Sequence, residues 1–280
     1  MTTDFKDISI LVVGYDGYKD VWDHFFTLLN KNWANRPTTY LASSEIIPHY
    51  ENVIVTPAGK DSEWSKRALA GLSRIHTPYT LLLLEDFFIS KPVDNKSFDY
   101  ILTLIKQHKI KFYQVCVQLY KQKWAKGKSF NGYKHLHIIP SGKKYPINLQ
   151  AAIWETDYLR DCIGTGNYNA WQFEINHIND KNYNLEKVDS LIDESNPLNI
   201  IHGIVQSKYL RGALKQLKKA GYEINCDNSV RSTLSFKDNF NYNLKLIMYS
   251  FTPKFLEKTF KKVGRMMKID FVTDRINNKN

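Results

Sequence analysis

Residues 79–90 read YTLLLLEDFFIS, and the four leucines at 81–84 are the strongest indication of the fold. Four consecutive leucines without polar alternation predict a β-strand covered on both faces, as in a parallel or mixed sheet flanked by helices. The run stops at the acid pair Glu85 and Asp86, which two phenylalanines follow. Since open α/β sheets bind ligands outside the carboxyl ends of their strands, this acid pair is a candidate binding site. An acidic strand end that opens into a solvated loop is the alternative.

Strand and helix patterns alternate through the rest of the chain, which is typical of a layered α/β fold. Apolar runs predict further strands at 9–13, 38–42, 53–56, 112–118, 135–139, 147–154, 185–192 and 199–205. Apolar residues at helical spacing predict helices at 19–29, 61–75, 97–107, 156–163, 170–178 and 207–221. Gly221 is placed to end the last of these helices. The sequence therefore predicts one sheet domain at residues 1–235, followed by basic amphipathic helices at 236–280.

The bulk composition predicts a globular protein. The chain has 280 residues, of which 43% are hydrophobic and 24% charged, and no Pro/Gly/Ser-rich linker divides it before about residue 228. The first eight residues carry acids and a lysine instead of a signal peptide pattern, and no apolar run is long enough to span a bilayer. Three widely spaced cysteines fit reduced thiols in the cytoplasm and do not predict a zinc site.

The charge of the chain predicts an anionic partner. A formal net charge of +11 is compatible with nucleic acid, an anionic membrane surface or a phosphate-bearing substrate. Basic residues crowd the last quarter and alternate with large apolar residues at helical spacing. Such helices lie in the plane of anionic membranes, with lysines toward the headgroups. The alternative is a pair of C-terminal helices whose apolar stripe packs on the domain.

Several motifs, taken in order, resemble nucleotide-sugar glycosyltransferases of the GT-A type, and more narrowly the bacterial enzymes that build capsule, exopolysaccharide or O-antigen chains. The resemblance spans about residues 8–226. Its motifs are the turn GYD at 14–16, the helix start WS at 64–65, the segment LLLLEDFF at 81–88, the segment QAAIW at 150–154 and the cluster WQFE at 171–174. The resemblance implies a GT-A-like, Rossmann-like mixed sheet flanked by helices, with a basic helical C-terminal tail.

On the donor side, the resemblance implies that residues near the ends of the first and fourth strands bind the sugar nucleotide. The contacts would come from Gly14, Tyr15 and Asp16, together with Trp64 and Glu85. Glycines at 14 and 17 would let the backbone approach the nucleotide closely. The alternative is that this segment forms only a plain β-turn, which uses the same residue types.

For the diphosphate, the resemblance implies a divalent cation, Mn²⁺ or Mg²⁺, held by Asp86 with His202 as a late ligand, because these ions prefer hard oxygen ligands. The family's acid pair has one residue between the two acids, whereas Glu85 and Asp86 are adjacent. Adjacent side chains of a regular strand face opposite ways, so it is open whether these two acids hold a metal ion. The alternative is neutralisation by the basic residues Lys66, Arg67, Lys121, Lys123 and Lys126.

On the acceptor side, Trp171 and Glu174 share one face of a predicted helix at a spacing of three. An indole is a platform for the apolar face of a sugar ring, and a partly desolvated glutamate has a raised pKa that suits a general base. The resemblance gives Glu174 the role of catalytic base in an inverting transfer, and gives Trp171 and Trp154 contacts to the acceptor. The alternative places Trp171 in the core and Glu174 in solvent.

The predicted function is transfer of a sugar from a nucleotide sugar, with a UDP-sugar favoured, to a polysaccharide or lipid-linked oligosaccharide. The enzyme would work in the cytoplasm, at the inner face of the membrane. One alternative is a nucleic-acid-binding protein that uses the basic tail and the 17 tyrosines, although no RRM, OB or helix-turn-helix signature favours it. The other is a catalytically inactive domain of the same fold that binds sugar nucleotides.

Overall fold

The computed structural model describes residues 5–117, 127–139, 147–177, 189–226 and 230–251, with side chains to residue 244 in the last range. The strands in these ranges are β1 (Ile8–Val13), β2 (Thr39–Ser43), β3 (Val53–Pro57), β4 (Tyr79–Leu84), β5 (Phe87–Ile89), β6 (Phe112–Gln114), β7 (Leu136–Ile138), β8 (Ala152–Glu155), β9 (Ser190–Asp193), β10 (Ile200–His202), β11 (Ile204–Val205) and β12 (Lys208–Tyr209). The helices are α1 (Lys19–Asn32), α2 (Trp64–Leu72), α3 (Asn95–His108), α4 (Thr156–Ile163), α5 (Ala170–Asn176), α6 (Arg211–Lys219) and α7 (Phe236–Phe251).

Eight of these strands form one mixed sheet in the order β3-β2-β1-β4-β8-β6-β9-β7. Strands β3, β2, β1 and β4 are parallel, while β8 runs antiparallel to both of its neighbours, β4 and β6. The carboxyl ends of β1, β2, β4 and β6 therefore meet at one edge of the sheet, where β8 begins. The prediction of a mixed sheet flanked by helices is confirmed.

Both faces of the central strands are covered. Along β1, Ile10 and Val12 belong to a core cluster that includes residues of α1 and α3, whereas Leu11 belongs to a second cluster with residues of α2, α4 and α5. The four-leucine run alternates in the same way, because Leu81 joins the first cluster and Leu82 the second. This explains why the strand shows no polar alternation, and it confirms the prediction of burial on both sides.

The turn after β1 is fixed by close packing. A Cβ atom on Gly14 would lie 2.8 Å from the Trp22 ring of α1, so the backbone approaches this indole too closely for any larger residue. A 3-10 turn at Asp16–Tyr18 follows and leads into α1, which buries Trp22 and Phe25 against the sheet. The end of β1 is therefore held directly against the helix that follows it.

Two predicted elements begin later in the structure than their sequence patterns indicate, because local hydrogen bonds take up the residues before them. Residues 147–151 do not extend strand β8, since the Asn148 side chain accepts a hydrogen bond from the N–H of Gln150 at 3.0 Å. The predicted helix at 207–221 begins only at Arg211, because β11 and β12 form a hairpin first. Gln206 and Ser207 turn this hairpin with φ values of 52° and 61°. Gly221 has a φ of 79°, which confirms that it ends the helix.

A small antiparallel sheet and the C-terminal helix complete the described fold. Strand β5 pairs with β10 in a register that aligns Phe87 with His202. In α7, Tyr242 packs against Leu210, Ala213 and Leu234, so the first part of the predicted tail lies on the sheet domain. Residues 252–280, which hold most of the lysines of the predicted membrane-binding tail, lie outside the described residues. Among the described helices, none has the length and apolar character needed to cross a bilayer.

Candidate functional site

Asp86 is paired with a histidine that is distant in sequence. The Oδ2 atom of Asp86 lies 2.8 Å from Nε2 of His202, and both residues are largely buried. The pairing of β5 with β10 creates this contact, and the N–H of Gly203 donates to the backbone oxygen of Asp86 at 2.8 Å. A Cβ atom at Gly203 would lie 2.2 Å from the Phe88 ring, so this position requires glycine. The structure thus brings together the two residues predicted as metal ligands.

The pKa of His202 is set by opposing effects. Burial lowers the pKa of this imidazole, while the charge of Asp86 and its hydrogen bond raise it, and the net result is a pKa above the ordinary value. The contact with Asp86 therefore favours proton binding by His202.

Glu85 contacts a different element from Asp86. Its Oε1 atom accepts a hydrogen bond from the N–H of Tyr15 at 3.2 Å, at the end of β1. Burial and the adjacent charge of Asp86 raise the pKa of Glu85 to about 8, although the Tyr15 N–H and the Arg67 charge act in the opposite direction. A protonated Glu85 can donate as well as accept hydrogen bonds at neutral pH.

Two residues predicted to bind the sugar nucleotide, Tyr15 and Asp16, lie in the turn after β1. The Asp16 side chain is bound by backbone N–H groups, whereas the Tyr15 ring is exposed. Asp16 accepts hydrogen bonds from the backbone N–H groups of Ser44, Glu45 and Ile46 at 2.7, 2.8 and 2.9 Å. Its carboxylate therefore shapes the loop that follows β2. The Tyr15 ring is 53% exposed and is accessible to a ligand at the carboxyl edge of the sheet.

Arg67 of α2 places a buried positive charge beside these groups. Its guanidinium lies 5.6 Å from the centre of the Tyr15 ring, and its Nη1 donates to the Ser62 carbonyl. Burial lowers the pKa of Arg67, and the charges of nearby acids, Glu85 first among them, raise it. The Nε atom is buried and has no hydrogen-bond partner among the described residues. A buried guanidinium with an unused donor suits an anionic or carbonyl group of a ligand.

Glu174 and Trp171 lie on α5, whose first turn Asn169 caps by accepting from the N–H of Gln172 at 3.0 Å. Glu174 Oε1 accepts the N–H of Leu149 at 2.9 Å. Burial raises the pKa of Glu174, and this single hydrogen bond lowers it by less, so the carboxylate is a stronger base than an exposed one. The Trp171 indole is 61% exposed, which leaves its face accessible.

The antiparallel register of β4 and β8 places Glu174 at the same edge as the acid pair. Strand β8 begins at Ala152, which lies opposite Leu82 near the end of β4, so Leu149 belongs to the segment that enters β8 at the carboxyl edge of β4. Because the Leu149 N–H binds Glu174, the predicted base belongs to the carboxyl edge of the sheet.

Trp154 and Trp64 lie in the core, which corrects their predicted roles. Trp154 is 0% exposed, and its ring centre lies 4.5 Å from that of Phe112. Trp64 is also buried, with its ring centre 5.0 Å from that of Phe173. Both indoles fill the layer between the sheet and α2, α4 and α5. They therefore offer no face to an acceptor or a donor.

The candidate metal ligands are Asp86 and His202. Within the described ranges, no three His, Cys, Asp or Glu side chains form a group that could hold an ion. Mg²⁺ is commonly bound by one or two carboxylates together with phosphate oxygens of the substrate. One carboxylate and one imidazole supply only two protein ligands, and a cation bound to both would replace the contact between Oδ2 of Asp86 and Nε2 of His202.

Arg231 was not predicted, because an isolated basic residue in a polar segment carries no sequence signal. It forms a bidentate ion pair with Asp20 of α1, with Nε 3.2 Å from Oδ2 and Nη2 3.1 Å from Oδ1. The same guanidinium donates to the Gly17 carbonyl at 3.1 Å and lies 3.9 Å from the centre of the Tyr18 ring. Arg231 thus connects the segment after α6 to the turn after β1.

No protein-family model and no curated protein matches this chain. Among solved structures, TarS from S. aureus is 13% identical over 88% of this chain and 44% of that chain, with a TM-score of 0.44. A cytidylyltransferase from Leptospira borgpetersenii is 12% identical over 95% of this chain and 98% of that chain, with a TM-score of 0.39. The 4-diphosphocytidyl-2C-methyl-D-erythritol synthase from Anaerococcus prevotii is 11% identical over 77% and 96%, with a TM-score of 0.41.

The chain spans about half the length of the TarS structures that it resembles, including one in complex with UDP, of which it covers 48%. The identities and TM-scores describe a distant likeness in overall fold, from which no function follows.

Proposed function

We propose that this protein is a glycosyltransferase that moves a sugar from a nucleotide sugar, with a UDP-sugar favoured, to a hydroxyl of a saccharide or lipid-linked acceptor. The observation that carries the proposal is the meeting of three chemically different groups at one edge of the sheet. These are the Asp86–His202 pair, the buried Arg67 beside the exposed Tyr15, and the partly buried carboxylate of Glu174. Transfer from a sugar nucleotide requires a partner for the diphosphate, a site for the nucleoside and a base for the acceptor.

The leaving diphosphate develops negative charge that the site must stabilise. Asp86 and His202 would hold Mn²⁺ or Mg²⁺, which would supply positive charge to the diphosphate oxygens. Arg67 provides a second, permanent positive charge close to the turn after β1. Tyr15 offers an aromatic face to the base, and Glu85 offers a hydrogen-bonding carboxyl group at the end of β4.

The acceptor hydroxyl must lose a proton as its oxygen attacks the anomeric carbon. Glu174 would take that proton, because burial raises its pKa toward the working pH. One base is sufficient for an inverting displacement, in which the acceptor attacks from the side opposite the leaving group. The exposed Trp171 would support the apolar face of the acceptor ring, three residues before the base.

The test is release of UDP from a panel of UDP-sugars with saccharide acceptors, with and without Mn²⁺. We expect turnover with at least one donor, and we expect D86N and E174Q to lower kcat by about 10²-fold or more. The matched controls, D157N and E223Q, change exposed acids and should keep wild-type rates. Absence of UDP binding and of turnover with every donor would overturn the proposal, as would full activity of the D86N and E174Q variants.

We further propose that the protein works at the cytoplasmic face of an anionic membrane. Phe236 and Phe240 of α7 are 78% and 67% exposed, and the basic residues of 252–280 follow them in the sequence. Deleting residues 252–280 should release the protein from vesicles that contain an anionic lipid and leave activity on a soluble acceptor unchanged. Equal vesicle binding by the shortened and full chains would contradict this proposal.

A further inference from the structure

A cavity of about 150 Å³ lies at the carboxyl edge of the sheet, on the side of His202 that faces α6 and α7. Its position follows from the topology, because residues just beyond β6, just before β8 and between β9 and β10 all border it. The residues that line the cavity are Phe87, Cys116, Val117, Gln150, Asn196, Ile200, Ile201, His202, Leu210, Ala213, Gln216 and Tyr242.

The lining combines apolar surface with neutral hydrogen-bonding groups. Phe87, Ile201 and Leu210 are apolar members of the lining, whereas Gln150 and Tyr242 are polar residues that border the cavity. None of the lining residues is a lysine, an arginine or a carboxylic acid. A cavity of this volume can take one six-membered ring. A pyranose fits such a lining, because it has apolar C–H faces and an equatorial rim of hydroxyl groups.

Gln150 supplies an acceptor that no protein group uses. Its side-chain Oε1 is buried and accepts no hydrogen bond from the part of the chain that the structure describes. Its backbone is fixed, since its N–H donates to Asn148 Oδ1 at 3.0 Å. A buried carbonyl without a donor is unfavourable, and a ligand hydroxyl would remove that penalty.

Tyr242 brings the C-terminal helix into this cavity. It is packed between the α6 cluster and the site, and burial, followed by the charge of Asp86, raises its pKa to about 12. The phenol therefore stays protonated and keeps its hydrogen-bond donor at physiological pH. Helix α7 forms one wall of the cavity, in addition to leading into residues 252–280.

We propose that this cavity holds the uncharged pyranose ring of the sugar that is transferred, and that Gln150 and Tyr242 select that sugar. The inference rests on the proposed function. It follows from position, because His202 lines the cavity and also belongs to the Asp86–His202 pair that would hold the diphosphate. The sugar is bonded directly to that diphosphate. It also follows from charge, because the lining has no lysine or arginine for the carboxylate of a uronic acid, and its one histidine is already paired with Asp86.

The test is calorimetric binding of UDP, UDP-glucose, UDP-galactose, UDP-N-acetylglucosamine and UDP-glucuronic acid, with Mn²⁺ present. We expect at least one neutral donor to bind more tightly than UDP-glucuronic acid. The variants Q150L and Y242F should raise the Kd of that donor by about 5- to 20-fold and leave the Kd of UDP within about twofold of wild type. Y242F removes one hydroxyl and keeps the ring, so it tests the contact even where Q150L does not fold.

The matched controls are Q107L and Y100F, which change exposed residues of α3 that do not line the cavity, and which should bind every ligand as wild type does. Unchanged donor affinity in both Q150L and Y242F would overturn the inference and leave the proposed function standing. Tightest binding of UDP-glucuronic acid would do the same. Failure of UDP and of every UDP-sugar to bind would overturn the inference and the proposed function together.

Discussion

At the scale of single residues, two neighbouring carboxylates acquire different chemistry because they contact different elements. Glu85 receives the N–H of Tyr15, while Asp86 pairs with His202. The sequence alone predicts that adjacent side chains of a strand diverge, and the structure shows the partners that separate them. Burial, followed by the adjacent charge of Asp86, raises the pKa of Glu85 to about 8, and the Tyr15 N–H lowers it by less.

The first prediction concerns the pH dependence of stability. The pKa of Glu85 is about 8 in the folded state and near 4.5 in the unfolded chain, so the folded state holds an extra proton between these values. As pH rises from about 5 to 8, the wild-type free energy of unfolding should therefore fall relative to that of E85Q, by about 1.4 kcal/mol per pH unit at most. Urea denaturation of both proteins, without divalent cations, measures the difference.

The control for this measurement is E223Q, which changes an exposed glutamate that pairs with Lys218. Its pH profile should run parallel to that of wild type. If the E85Q profile also runs parallel to wild type, Glu85 does not carry the extra proton.

The second prediction concerns Gly203, which sits directly after His202. A methyl group there would come 2.2 Å from the Phe88 ring, so G203A should force β10 away from β5 and lower the free energy of unfolding by about 1–3 kcal/mol. The comparison is G212A on α6, where a Cβ atom meets nothing within 4 Å and alanine should stabilise the helix slightly. Equal stability of the two variants in chemical denaturation would refute the steric argument.

At the scale of elements, helix and strand identities follow from periodicity, whereas several boundaries follow from particular side chains. Helix α4 begins and ends where its pattern predicts. Strand β8 starts late because Asn148 and Glu174 bind the N–H groups of Gln150 and Leu149, which are then lost to the ladder. The β11–β12 hairpin was missed because its turn uses Gln206 and Ser207, two residues that rarely adopt a positive φ.

The third prediction belongs to the contact between the segment after α6 and helix α1. Arg231 joins Asp20, the Gly17 carbonyl and the Tyr18 ring in one buried arrangement. R231L leaves Asp20 without its cation and should lower the free energy of unfolding by about 2–4 kcal/mol. Hydrogen exchange at the turn after β1 should also become faster. R74L, at an exposed position on the surface, is the control, and equal effects of the two changes would contradict the role of Arg231.

At the scale of the whole molecule, the layered sheet could be predicted and the composition of the site only in part. The strand ends that carry Glu85 and Tyr15 meet because parallel strands share an edge. The contact between Asp86 and His202 depends on the β5–β10 pairing, which has no local signal. Trp154 was misassigned because an indole in an apolar context has the same sequence pattern whether it packs in the core or supports a sugar.

The fourth prediction concerns the C-terminal helix. A chain that ends at residue 235 loses α7 and uncovers Leu210, Ala213 and Leu234, so it should be less stable by about 2 kcal/mol. A chain that ends at residue 251 keeps this packing and should unfold as the full protein does. Thermal and urea denaturation of the two shortened chains decide the matter, and equal stability would place α7 outside the folded unit.

The insertion of β8 between β4 and β6 has a consequence for biosynthesis. As the protein leaves the ribosome, the leucine-rich edge of β4 has no neighbour on that side until residues 152–155 have been translated. Nascent chains with an unpaired apolar strand are prone to aggregate, so chaperones would be needed most during this interval. The central strand of the folded protein is thus the segment that is most vulnerable while the polypeptide is still growing.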